Sequence, residues 1–300
     1  MPEHVPPRVH PSAPSAALSG ALWMIVSAVL FAVLNLLIRV GAEHLHPFQI
    51  AFFRCAFSLA FLTPWLVRTG FGGMRTGRLR LYLTRCLTGL CAMLTWFLGL
   101  SLMPLGTAVT LGFTTPLFAT VGAALFLGEV VRRRRWTATA IGFLGVVIVI
   151  RPTPETLSLA ALLVLFSAVL NAATALQVKS LARTEPTTAM VTYMALFLTP
   201  MSLVPALFVW QWPSWPVLGL MVVLGGIATL GQLAVTRAFH AADASALMPL
   251  DYVKLPISAL LGWFAFGEVL DAWTWVGAAV IAGSTLYIAH REATLARRGR

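Results

Sequence analysis

The chain has 300 residues, of which 59% are hydrophobic and only 10% charged, with a mean hydropathy of +0.86; a soluble domain carries about 45–50% apolar and about 25% charged residues. A globule of ~300 residues buries only about 75% of the surface its unfolded chain exposes, so soluble folds are excluded. The 21 Lys and Arg against 10 Asp and Glu give a formal charge of +11, and because the basic residues gather in short connections this charge reads as membrane orientation rather than nucleic-acid binding.

Residues 1–16 are Pro-rich and lack an apolar core, so a disordered cytoplasmic tail is expected rather than a cleaved signal peptide. A bilayer core of ~30 Å needs ~20 mainly apolar helical residues. Runs that meet this recur at about 17–40, 47–67, 82–103, 105–128 and 136–151, then at about 157–180, 186–209, 215–240, 244–267 and 272–290. Their length and lack of period-2 alternation favour helices over a transmembrane barrel. An all-α integral membrane fold of ten transmembrane helices is therefore expected, with loops too short to hold a soluble catalytic domain. If the N-terminus is inside, seventeen of the 21 Lys and Arg fall on the cytoplasmic side. Only Arg39 and Arg151 lie outside, while Arg54 and Lys254 lie within spans. Both termini are expected in the cytoplasm, the last residues, 291–300, as a basic tail.

The two halves share literal segments in order. Ser27 to Leu30 (SAVL) returns at Ser167 to Leu170, and Phe61 to Pro64 (FLTP) at Phe197 to Pro200. Gly128-Glu129-Val130 returns at Gly267-Glu268-Val269. The offsets of 140, 136 and 139 residues agree on one period, which divides the chain into five-helix repeats at 17–151 and 157–290. An odd number of helices puts the second copy in upside down. Charge agrees, because Arg132 to Arg135 follow the first Gly-Glu whereas Leu270-Asp271 follow the second. Inverted repeats provide two related conformations and a site near the midplane, the basis of alternating access.

Each half also carries a proline in its fourth helix (Pro116, Pro256), Gly-Glu at that helix's end, and glycines in its last helix (Gly142, Gly145; Gly277, Gly283). Over about 17–290 this pattern resembles the drug/metabolite transporter superfamily of the EamA type. The resemblance implies a carrier that moves small metabolites across the bacterial inner membrane, commonly by amino acid export, and within the family the chain is similar to aromatic and neutral amino acid exporters.

Charged groups inside a span cost about +2.5 to +3.5 kcal/mol at a helix centre, so each should face a wet cavity or a partner. Asp251 and Lys254, at i and i+3, either form a structural ion pair or line the cavity, Asp251 meeting an ammonium or proton and Lys254 a carboxylate. Arg54 either clamps a carboxylate or bonds a neighbouring helix. Small polar stripes run along the third helix (Thr84, Thr88, Cys91, Thr95) and the eighth (Gly225, Thr229, Gln232, Thr236). They serve either helix packing or a water-lined path. Asn35 and Asn171 hold roughly corresponding places and can orient a zwitterion or join helices. Trp96 and Trp263 lie deeper than the span-end tryptophans and offer an apolar surface to a side chain, unless they face lipid or core. Pro116 and Pro256 are the expected hinges, and Glu129 and Glu268 are expected to anchor loops.

Other chemistry finds no motif. The one Lys-Ser, Lys179-Ser180, lacks the glycines of a phosphate loop, and no GxSxG or HExxH appears. His44 and His46 lack a third ligand, and Cys55, Cys86 and Cys91 form no metal or disulfide spacing. The chain is therefore expected to be no enzyme, to need no cofactor, metal or ATPase subunit, and to engage a small-molecule substrate and the lipid bilayer. The expected function is export of small amphipathic metabolites, above all amino acids with apolar or aromatic side chains. The alternative is uptake or exchange of another metabolite, such as a nucleoside-type or S-adenosyl compound; an intramembrane lipid enzyme and a passive channel stand further off.

Overall fold

The computed structural model describes residues 14–69, 76–126, 133–151, 158–181, 187–241, 247 and 250–298. Eleven helices run through them: α1 Pro14–Ala42, α2 Pro47–Thr69, α3 Leu79–Leu102, α4 Leu105–Gly112, α5 Thr115–Phe126 and α6 Arg133–Ile150 in the first half. The second half has α7 Leu159–Leu181, α8 Thr187–Leu207, α9 Trp215–Ala241, α10 Lys254–Phe266 and α11 Ala272–Arg298. No strand occurs among the described residues. Five stretches are long and apolar enough by themselves to cross a bilayer, in α1, α3, α4–α5, α7 and α9. The others have shorter apolar stretches, such as Trp136–Ile150 and Lys254–Phe266. With α4 and α5 as one interrupted span, the fold is an all-α integral membrane bundle of ten spans. Helices suit this environment because they satisfy their backbone groups internally where no water can.

Two sequence expectations shift. The first helix begins earlier than residue 17, because Pro14 to Ala16 already belong to α1; proline is accepted there since a first-turn residue has no intrahelical use for its N–H. Residues 1–13, the first Gly-Glu at Gly128-Glu129 and Arg132 lie outside the described residues. The second difference concerns the prolines. The fourth span does not kink at Pro116 but stops at Gly112, turns through Phe113 and Thr114, and restarts at Thr115. Pro116 is thus a first-turn residue of α5. In the second half the chain is helical at Leu250 and Asp251, turns at Tyr252 and Val253, and restarts at Lys254, two residues before Pro256. The interruptions fall at equivalent places, 113–114 and 252–253, so both halves break the same span.

The packing repeats the same symmetry. α1 packs along α9 and α3 along α7, and these two contacts exchange when the halves are exchanged. The bonds within them exchange as well: Ser27 donates to the carbonyl of Gly231 at 3.3 Å, and Ser167 to the carbonyl of Ala92 at 2.8 Å. α2 against α8 and α6 against α11 pair equivalent helices directly. The second crossing is tight. A Cβ on Gly145 would lie 3.0 Å from the carbonyl oxygen of Gly277, and one on Gly277 2.8 Å from that of Gly145. Small residues at such crossings let backbones approach where lipid supplies no hydrophobic drive. Large apolar side chains point outward instead, among them Leu18, Leu22, Leu87 and Leu144.

Candidate substrate cavity

A cavity of about 590 Å³ lies between the halves, lined by α1, α2, α3, α4, α5, α7, α8 and the start of α10. Its volume falls within the ~300–1,000 Å³ typical of small-molecule sites. On α3 the residues Arg85, Gly89, Met93 and Trp96 follow i, i+4, i+8, i+11 and so share one face, all of it turned to the cavity. α1 adds Phe31 and Asn35, α2 adds Arg54, and α7 adds Asn171 and Thr174. Phe113, Thr115 and Pro116 come from the break between α4 and α5.

The aromatic wall is held in place from behind. Trp96 donates its indole N–H to Oδ1 of Asn35 at 3.3 Å. Its ring lies so close to Gly112 that a Cβ there would come within 2.9 Å of it. Asn171 donates to the hydroxyl of Ser167 at 3.2 Å. Facing this wall, Asp251 and Lys254 form an ion pair at 2.8 Å, with Lys254 Nζ 5.5 Å from the Phe31 ring centre.

Two arginines are less settled. Arg54 Nη1 contacts Sδ of Met93 at 3.1 Å, and Arg85 Nη2 contacts Sδ of Met194 at 3.5 Å. Thioether sulfur is a weak acceptor. Nε of Arg54 and both Nε and Nη1 of Arg85 are buried without a hydrogen-bond partner among the described residues. The lining thus carries three cations, Arg54, Arg85 and Lys254, against one carboxylate, Asp251.

At the end of the bundle where α1 and α3 finish, a polar layer ties the halves together. Gly267 closes α10 in the left-handed conformation, φ 68°, which glycine adopts without a Cβ penalty. That turn presents Glu268 to Arg39. The two form an ion pair, Glu268 accepts from the N–H of Leu105 at 2.9 Å, and Arg39 donates to the carbonyl of Met103 at 2.7 Å. Beside them Asp271 pairs with Arg151. Hydrogen bonds from the Thr274 hydroxyl and N–H hold the Asp271 carboxyl below the usual carboxylate range, with Arg151 adding to the effect. The cavity lining runs away from this layer, down α3 to Arg85 and along α7 to Thr174.

Of the residues singled out in the sequence, Asn35, Arg54, Trp96, Asn171, Asp251, Lys254 and Pro116 line the cavity. Thr88, Thr95, Gln232, Trp263 and Pro256 do not. Thr88 and Thr95 give their hydroxyls to carbonyls of their own helix, at Thr84 and Cys91. Gln232 and Pro256 are exposed, and Trp263, 52% exposed, lies at the outer surface with its ring tilted against that of Phe264. Arg85 is a charged cavity residue that sequence reasoning did not single out; it lies in the second turn of α3. Its spacing to Gly89, Met93 and Trp96 is the signal that finds it. Arg39 and Arg151, read only as outlying charges, both take a carboxylate from the α10–α11 connection.

An inverted helical bundle around a central cavity, with charged contacts joining the halves at one end, defines a multi-pass membrane carrier. The chain belongs to the EamA-like transporter family, which matches residues 18–151 and 158–289, once in each half. It is 36% identical over 282 residues to a riboflavin transporter of Rhizobium johnstonii, covering 93% of each chain. To a riboflavin transporter of Vibrio cholerae serotype O1 it is 34% identical over 288 residues, covering 94% of this chain and 97% of the relative. An S-adenosylmethionine uptake transporter of Rickettsia prowazekii is 31% identical over 275 residues, covering 92% and 94%. The family and these relatives are transporters. The expectation of amino acid export finds no support among them, and the alternative of another metabolite fits better.

Proposed function

We propose that the chain carries riboflavin, or a flavin of the same kind, across the bacterial inner membrane by alternating access. The observation that carries this reading is the cavity's charge: three cations to one carboxylate, and that carboxylate already held by Lys254. Such a lining disfavours a cationic substrate and suits a neutral, acceptor-rich one. Riboflavin has a planar heteroaromatic head for the wall of Trp96, Phe31 and Phe113, and a polyol chain for Asn35, Asn171 and Thr174. The names of the two relatives with the higher identities support the same choice. S-adenosylmethionine is the second reading, favoured by the third relative, but its sulfonium and ammonium would meet the arginines with no free carboxylate to receive them.

Basic residues concentrated at the α2–α3, α5–α6 and C-terminal ends support a reading in which both termini face the cytoplasm. In that orientation the Arg39–Glu268 layer is the periplasmic closure and the cavity faces inward. Transport then consists of the halves rocking about their pseudo-two-fold axis, opening this layer while the other end closes. Riboflavin drives that change only by its differential affinity for the two states.

The test is counterflow in proteoliposomes loaded with unlabelled compound. Saturable accumulation of labelled riboflavin, with little for S-adenosylmethionine or aromatic amino acids, supports the reading. Accumulation of S-adenosylmethionine or amino acids without riboflavin refutes it.

A further inference from the structure

We infer that Arg54 and Arg85 form one anchoring site in the cavity, built to receive an acceptor edge: a carbonyl-rich or anionic face with no N–H or cation directed at it. This rests on the transport reading and specifies which groups of the protein hold which chemistry of the substrate.

Three observations carry it. Both arginines line the same cavity, from different helices, α2 and α3. Three of their buried nitrogens have no partner among the described residues, and the side-chain contacts they do make are to sulfur, Met93 and Cys55 for Arg54 and Met194 for Arg85. The carboxylate in the lining, Asp251, is paired with Lys254 instead. Buried donors in folded proteins are almost always satisfied, and an unsatisfied one calls for an explanation. When the donor belongs to a partly buried guanidinium the cost is larger, because the charge is then incompletely solvated. Two such groups in one cavity mark the place where a ligand completes the hydrogen bonding.

The guanidinium fork narrows the ligand further. It presents paired donors in one plane and carries no acceptor. Its match is a planar edge with adjacent acceptors, such as a carboxylate, a phosphate, or the carbonyl and ring-nitrogen pairs along the pyrimidinedione end of a flavin. Those three share one chemistry, and the probes below separate them.

The experiment uses the purified full chain, with flavin fluorescence quenching for binding and thermal unfolding for stability. Arg54→Gln and Arg85→Gln are each expected to weaken riboflavin binding by roughly tenfold to a hundredfold. Arg85→Lys, which keeps the charge but loses the fork, should fall between. Removing a partly buried cation with unsatisfied donors relieves the empty protein, so Arg85→Met is expected to raise its melting midpoint while binding is lost. A structural arginine would lower both. Riboflavin affinity within twofold of wild type in both Gln variants overturns the anchor and leaves the transport reading standing. If wild type ignores riboflavin but is stabilised by benzoate or inorganic phosphate, and this depends on Arg54 and Arg85, the flavin reading fails and the anchor holds. Stabilisation by S-adenosylmethionine that persists unchanged in both Gln variants, or by none of these probes, overturns the anchor.

Discussion

Phe113 and Tyr252 pack ring against ring, with centroids 4.5 Å apart and planes at 41°, although 139 residues separate them. They are the same position in the two halves, each the first residue of the turn that interrupts its span. Two equivalent residues can touch only where the symmetry axis passes between them, so the axis runs through these breaks, and Phe113 lines the cavity beside it. An aromatic pair contributes about 0.5–1.5 kcal/mol beyond its buried area. Phe113→Ala and Tyr252→Ala are each expected to lower the melting midpoint, and the double variant to cost about that much less than the sum of the two. Strict additivity in the cycle would show that the rings do not couple.

The Arg39–Glu268 pair is expected to act as one unit. Glu268→Ala leaves Arg39 half-buried without its carboxylate and frees the N–H of Leu105, so stability and transport should both fall. The cost of stranding one partner of a buried pair reaches about 3–5 kcal/mol when fully buried, and less is expected here. Arg39→Ala combined with Glu268→Ala should be milder than Glu268→Ala alone, measured by thermal unfolding in a double-mutant cycle.

The crossing of α6 and α11 should tolerate no added side chain. Gly277→Ala places a Cβ 2.8 Å from the carbonyl oxygen of Gly145 and 2.4 Å from Val149, and overpacking of this kind costs about 1–3 kcal/mol. Gly283 on the same helix has nothing within 4 Å of its Cβ position. There alanine is expected to be neutral, or to stabilise by up to about 1 kcal/mol through helix propensity. Comparing the two melting midpoints checks the crossing within a single helix.

Asp271 makes a pH dependence legible. Its carboxyl titrates below the usual range in the folded protein, so it contributes stability above its unfolded value of about 3.9, and that contribution is lost as pH falls through the folded value. Thr274→Val removes the hydroxyl that is the leading cause. Between about pH 5 and 3 the wild type is therefore expected to lose more stability than the Val variant. Parallel melting curves across that range would rule out the role given to Thr274.

The spans and the duplication were legible because both are written in patterns longer than local packing can disturb. Apolar runs of about 20 residues mark spans, and Ser27 and Ser167 stand in matching segments that turn out to make matching bonds. The cavity was legible where a charge or amide sat inside a span, as at Arg54, Asn35 and Asp251. Of the two readings of the threonine stripes, a water-lined path is not needed, because Thr88, Thr95, Thr229 and Thr236 satisfy their hydroxyls on carbonyls four residues earlier in their own helices. A polar stripe of that kind needs no water. Pro116 and Pro256 mark restarts after a break rather than bends within a helix, since a first-turn proline displaces no hydrogen bond. Trp263 is deep along its span yet turned to the outer surface, and depth in a sequence does not say which way a helix faces.

The most direct test joins positions 39 and 268. In a chain with Cys55, Cys86 and Cys91 replaced by alanine, Arg39→Cys with Glu268→Cys allows a short thiol cross-linker to lock the end of the bundle where the two side chains meet. If the halves rock about the axis between Phe113 and Tyr252, the cross-linked protein should still bind riboflavin from the opposite side yet cease to transport it, and cleaving the linker should return flux to that of the uncross-linked double variant. Undiminished transport by the fully cross-linked protein would contradict alternating access through this cavity.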